Sequence, residues 1–253
     1  METSYCLNCD TQLNGTFCSQ CGQKETHRYT FSHIVHEFVH VFTHADKGIF
    51  ALARQVLLRP GFVARDLVEG KRKRYFNLFQ YLLLIVGVVT FLMVKTNLIT
   101  DIMNSMNQAN NVQASSRLAA MQQKTAALLQ QYNNLFQLVL IPVYAASAWL
   151  FFARKRVNYA ETIVLHVAST AQTSTLSIPL ALLMLATRGT SGFMLIAAGS
   201  MAVMLFSFAL CYRQFFGFGW LRSLLFAVLV FVVSYIVQTV LITLLMLSIL
   251  FLG

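Results

Sequence analysis

The sequence predicts a mainly α-helical, polytopic membrane protein of about five transmembrane helices, N-in and C-out, with a small N-terminal β-hairpin zinc ribbon. Three observations carry this reading. Apolar residues make up 57% of the 253 and charged residues only 11%, against about 25% charged in soluble domains. A soluble fold of this size cannot hide so much apolar side chain, so a second apolar solvent is required. Five apolar stretches are long enough to cross about 30 Å of hydrocarbon as helices, and two C-x2-C pairs stand ahead of them.

The chain divides into a cytosolic zinc ribbon over 1–25, membrane-surface amphipathic helices over 26–77, and a transmembrane domain over 78–253. The spans fall near Leu78–Val94, Leu135–Ala153, Ile163–Thr187, Phe193–Tyr212 and Leu224–Leu252, with an outside loop over 95–134. Helices are the expected spanning form, because no water at that depth can satisfy peptide groups. No charged, then apolar, leader follows Met1, so insertion is expected to be directed by the internal spans. With the N-terminus inside, fifteen Lys and Arg lie on the cytosolic side and four outside, the asymmetry that sets topology. The net charge of +10 is therefore a topology signal, not a nucleic-acid footprint, and no nucleic-acid partner is expected.

Cys6-Leu7-Asn8-Cys9 and Cys18-Ser19-Gln20-Cys21 are separated by eight residues. Two thiolates three positions apart can face one metal from a tight turn, and two such turns complete the tetrahedron that zinc prefers. Asn14-Gly15 between them is a favoured hairpin turn. Disulfides or a redox C-x2-C compete with this reading, but disulfides need an oxidising compartment and the cation count places this end in the cytosol. One structural zinc with all four positions filled is expected.

The segment Phe31 to His44 is an amphipathic helix by spacing, with Phe31, Ile34, Val35, Phe38, Val41 and Phe42 on one side. His33, His36, Glu37, His40 and His44 gather on the other, and His36-Glu37-Phe38-Val39-His40 matches H-E-x-x-H. That spacing suits two imidazoles on a second zinc with Glu37 activating its water. Against a hydrolase stand Thr43, where a sharp turn would want Gly, and a soluble region too small for a substrate cleft. The plainer reading is an interfacial helix with its imidazoles toward water or headgroups.

Arg59-Pro60-Gly61 forces a turn between two short helical patterns, and Gly70 can close the second as a left-handed cap. Lys71-Arg72-Lys73-Arg74 then enters the first span as a contact for anionic lipid heads. This ordered set resembles the bacterial membrane proteins grouped as domain of unknown function 3667. It comprises the two knuckles, His36-Glu37, Asp46-Lys47-Gly48, Arg59-Pro60-Gly61 and Gly70-Lys71-Arg72, over residues 6 to 80. The resemblance implies a multi-pass protein of the bacterial inner membrane and brings no activity with it.

The third span is polar for a membrane helix, with His166, Thr170, Thr173 and Ser177 on one face and Glu161 at its mouth. Gln238 in the fifth span is a candidate partner. Such groups glue spans together or face a ligand path. The function expected is a membrane scaffold or regulator whose ribbon and collar bind anionic lipid or a cytosolic protein. Alternatives are a transporter or lipid-handling protein using Glu161, His166 and Gln238, and a zinc hydrolase using His36, Glu37 and His40.

Overall fold

The computed structural model describes residues 5–13, 15–25, 30, 48–109, 127–128, 131–152 and 157–252. Eight helices are described: α1 (Ile49–Leu58), α2 (Pro60–Val68), α3 (Leu78–Thr96), α4 (Leu98–Ala109), α5 (Asn133–Phe152), α6 (Tyr159–Ala186), α7 (Ser191–Phe216) and α8 (Trp220–Leu252). Four of them, α3, α6, α7 and α8, are long and apolar enough to cross a membrane. The segment expected as the second span is helical as α5, but its described apolar stretch, Phe136–Phe152, is shorter than the other four. Polar Asn133 and Asn134 occupy its first turn and Pro142 interrupts its hydrogen-bond ladder.

No strand forms among the described residues, so the expected β-hairpin is replaced by two isolated antiparallel bridges, Tyr5–Gln12 and Phe17–Lys24. Each bridge closes one C-x2-C pair within its own loop, whereas a single ribbon would pair across Asn14-Gly15. Backbone bonding satisfies each loop internally, leaving no ladder to extend.

The α1–α2 hairpin follows the sequence closely. Arg59 leaves the helix because Pro60 disfavours the α region before it, and Pro60 takes the first-turn position of α2. At the other end Gly70 has φ +94°, its N–H donates to Leu67 O, and Lys71 N–H donates to Asp66 O. That pair of bonds is a Schellman cap. The hairpin buries Leu52, Val56, Val63, Ala64 and Leu67 in the main core, which also takes residues from α3, α5, α6, α7 and α8.

Two polar residues of the long helices hold the hairpin tip. Gln214 accepts from Gly61 N–H (3.0 Å) and donates to Leu58 O (3.2 Å), while Gln172 donates to Leu57 O (2.7 Å). They satisfy groups that a helix end leaves without partners. Arg65 donates to Phe215 O near the C-terminal end of α7, where a cation suits the helix dipole. Gln214→Leu is expected to destabilise the protein by about 1–3 kcal/mol, since it strands the N–H of buried Gly61 and removes the bond to the exposed Leu58 O as well. Thermal unfolding in detergent measures it.

α3 and α6 lie side by side and run the same way. The Tyr81 and Thr175 hydroxyls are 2.7 Å apart near one end, and Arg188 reaches Thr96 O and Asp101 at the other. α6 therefore leads α3 by about 20 Å at 1.5 Å per residue, and the α1–α2 hairpin packs beside this leading part. Outward, α8 leaves Leu221 84% and Leu244 57% exposed, with Leu225, Val232 and Ile236 exposed between them. A face so continuously apolar needs a nonaqueous neighbour.

Candidate metal centre and basic collar

The two cysteine loops are copies of one device. Cys6 N–H donates to Thr11 O and Cys18 N–H to Gln23 O, both at 2.8 Å. Asp10 N–H returns to Cys6 O (2.8 Å) and Gly22 N–H to Cys18 O (2.9 Å). Both closures need a left-handed residue after the second cysteine, and Asp10 (φ +58°) and Gly22 (φ +69°) supply it.

The four Sγ atoms all lie within 4.8 Å of one another, with Cys6–Cys21 at 3.6 Å and Cys9–Cys18 at 3.5 Å. A tetrahedral ion with bonds near 2.3 Å would set its sulfurs about 3.8 Å apart. The donor set fits a metal ion without rearrangement, and no cysteine is in a disulfide. Hydrogen bonding from Thr11, with its hydroxyl 3.3 Å from the sulfur, pulls the Cys9 thiol down to about 6. Burial pushes Cys6 up to about 11. Cys9 is thus the readier thiolate, and a cation would have to deprotonate Cys6 by its own charge.

A residue that sequence reasoning did not single out joins this centre to the collar. Gln23, 5% exposed, closes the second cysteine loop through its carbonyl. Its side chain donates to Gly70 O (2.6 Å) and accepts from the N–H groups of Arg72 (3.1 Å) and Lys73 (3.0 Å). A polar residue next to a metal knuckle looks in sequence like any solvated loop position, and its partners lie some fifty residues away.

The collar is further pinned by Asp66. It accepts from Tyr75 Oη (2.5 Å) and pairs with Lys71 Nζ (3.4 Å) and Arg74 Nη1 (3.8 Å). Burial, and then Asp66, raise the Tyr75 hydroxyl well above its ordinary value. Glu69, 2.9 Å away, is the largest cause raising Lys71. Lys73 and Arg74 are exposed.

The other expected site residues are not brought together. Glu161 caps α6: it accepts from Asn158 N–H (2.9 Å), and Asn158 accepts from Glu161 N–H (2.8 Å). His166 is fully buried, with Nε2 3.2 Å from Tyr212 Oη, among the rings of Tyr144, Phe208 and Tyr212. Gln238 is half-buried on α8, where Ser234, one turn earlier, bonds Ser147 at 3.1 Å. His36, Glu37 and His40 lie outside the described residues.

Fold and site together define a mainly helical protein with span-like helices and a cysteine cluster able to hold a metal ion. Residues 46–91 match the family described as Protein of unknown function (DUF3667), the family that the ordered motifs resemble. The matched segment holds the α1–α2 hairpin, the basic collar and most of α3, while the cysteine loops and the helices from α4 onward fall outside it. No curated protein and no solved structure matches the chain.

Proposed function

We propose that the chain is a five-span protein of the bacterial inner membrane in which a zinc-bearing knuckle pair holds a basic collar against anionic headgroups. It would serve there as a scaffold or regulator for a cytosolic partner. The observation that carries this reading is the Gln23 bridge, which ties the fold of the second cysteine loop to the backbone of Gly70, Arg72 and Lys73. Zinc is the metal that four thiolates at this spacing favour. Tyr5 and Phe17, equivalent positions in the two loops, are exposed at 58% and 63%, which supports a partner or lipid contact at the loop tips.

The direction of the helices supports five crossings. α3 and α6 run the same way, so the chain must return between them, and α5 is the element available. Its Tyr144 lies beside Phe208 and its Phe152 beside Tyr212 and Phe216, so it runs parallel to α7 and opposite to α6. α8 then runs back along α5, with Phe226 near Phe152 and Ser234 on Ser147. An odd number of crossings puts the two ends on opposite sides, and the cation count favours N-in.

Limited trypsin digestion of proteoliposomes tests the reading, since Lys71 to Arg74 offer consecutive cleavage sites. Stripping zinc with a chelator is expected to raise the rate of cleavage there several-fold. Replacing phosphatidylcholine by phosphatidylglycerol should lower it. A rate indifferent to both zinc and lipid charge would sink the proposal.

A further inference from the structure

A cleft of about 200 Å³ opens between α5, α6 and α7, lined by Gln137, Tyr144, Thr170, Thr173, Ser174 and Ser177 over an apolar wall that includes Phe208. Thr173 and Ser177 donate their hydroxyl protons to Ser169 O (3.0 Å) and Thr173 O (2.8 Å), so toward the cleft they keep only oxygen lone pairs. Gln137 and Tyr144 carry amide and phenolic donors. None of the lining residues bears a formal charge. The cleft lies level with the first turn of α3, because Thr175 of the same α6 segment meets Tyr81. On α6 that is mid-helix, about 24 Å from its first residue at 1.5 Å per residue, so the cleft opens among the apolar faces of the bundle rather than onto bulk water.

We infer that this cleft binds the head of a neutral lipid bearing a free hydroxyl and ester carbonyls, with diacylglycerol as the type case. The lipid hydroxyl donates to Thr173 or Ser177, and its ester carbonyls accept from Gln137 and Tyr144. An anionic phosphate is disfavoured, since burying it without a cation in the lining is costly. The volume falls short of the roughly 300–1,000 Å³ that encloses a drug-sized ligand. It therefore takes a head, with the chains running out over the apolar faces of α5 and α7, where Val139 and Leu195 are exposed. The inference goes beyond the collar reading but rests, with it, on α3 and α6 being embedded in lipid.

The test uses the full-length protein in nanodiscs with a dioleoylglycerol carrying a diazirine near the head, followed by peptide mapping. Saturable labelling of α5, α6 and α7 is expected, displaced by unlabelled dioleoylglycerol and not by dioleoyl phosphatidic acid. Thr173→Val, nearly isosteric, should weaken binding about fivefold, the factor that one ordinary hydrogen bond implies. Ser177→Leu should abolish it by filling the cleft, and if that variant does not fold, Thr173→Val decides alone. Equal displacement by phosphatidic acid, non-saturating label, or unchanged affinity in folded Thr173→Val would overturn the proposal. A phosphatidylcholine with the same group labels the exposed face of α8 if the helices are lipid-embedded. Loss of that signal overturns the membrane reading and this inference together, whereas its persistence without cleft labelling overturns the inference alone.

Discussion

Gly61→Ala is expected to destabilise the protein by about 3 kcal/mol, at the upper end of what overpacking a core costs. For a chain of this size that lowers the unfolding midpoint by roughly 6–12 °C. A Cβ at this position collides with the carbonyl oxygen of Cys211, and lies 2.6 Å from Gln214 Cβ and 3.0 Å from Phe215 N. Two of these three atoms are backbone of α7 and cannot rotate away. The substitution also pushes Gln214 out of the position from which it serves both helix ends at the hairpin tip. Gly87→Ala is the matched control: it lies in α3 with nothing within 4 Å of the added carbon. There the better helix propensity of alanine is worth up to about 1 kcal/mol of stabilisation. Equal midpoints for the two variants, measured by thermal unfolding in detergent, would mean that α2 does not rest on α7 as described.

The contrast between these two glycines shows what was legible in the sequence. Local chemistry could be read directly. Arg59-Pro60 predicts a helix break and Gly70 a left-handed cap, and both are where the residues say, because neighbours along the chain decide them. Four of the expected spans are helices of spanning length for the same reason, since a long apolar run carries its own environment with it. That Gly61 has no room for a methyl group, however, depends on residues some 150 positions away, and a glycine after proline looks in sequence like ordinary turn chemistry.

The polar residues of α6 were legible as present but not as to purpose. Gln172 is one more polar residue of a span in the sequence, and in the structure it caps the last turn of α1. By its place in the sequence Glu161 is an ionisable group at the mouth of a span. In the structure it completes a capping box, and Asn158-x-x-Glu161 is itself a recognised signal for that. The cysteine loops fall between these cases. Their spacing predicted the cluster, but Asn14-Gly15 suggested one shared hairpin. The repeat of Asp10 and Gly22 at equivalent positions was the better clue that each loop closes on itself.

The cysteine cluster also bears the second large expected effect. Purified wild-type protein should carry one zinc per chain, and Cys18→Ser should carry none. Structural zinc in small modules contributes an apparent 10–16 kcal/mol, far more than two loops joined by single bridges can replace. Cys18 is the informative position because its backbone also bonds Gln23, the residue that grips the collar. Loss of metal should therefore appear twice, in elemental analysis and as faster tryptic cleavage at Lys71 to Arg74. Gln23→Ala should separate the two readouts, keeping its zinc while losing the protection of the collar. His36→Ala/His40→Ala is expected to leave the zinc content at one. A fall from two zincs to one in that variant would instead reveal a second site on the histidine segment and make a hydrolase assay the next step. If Gln23→Ala cleaves no faster than wild type, the cysteine centre stabilises only its own loops, and the collar must be held by Asp66 and Tyr75 alone.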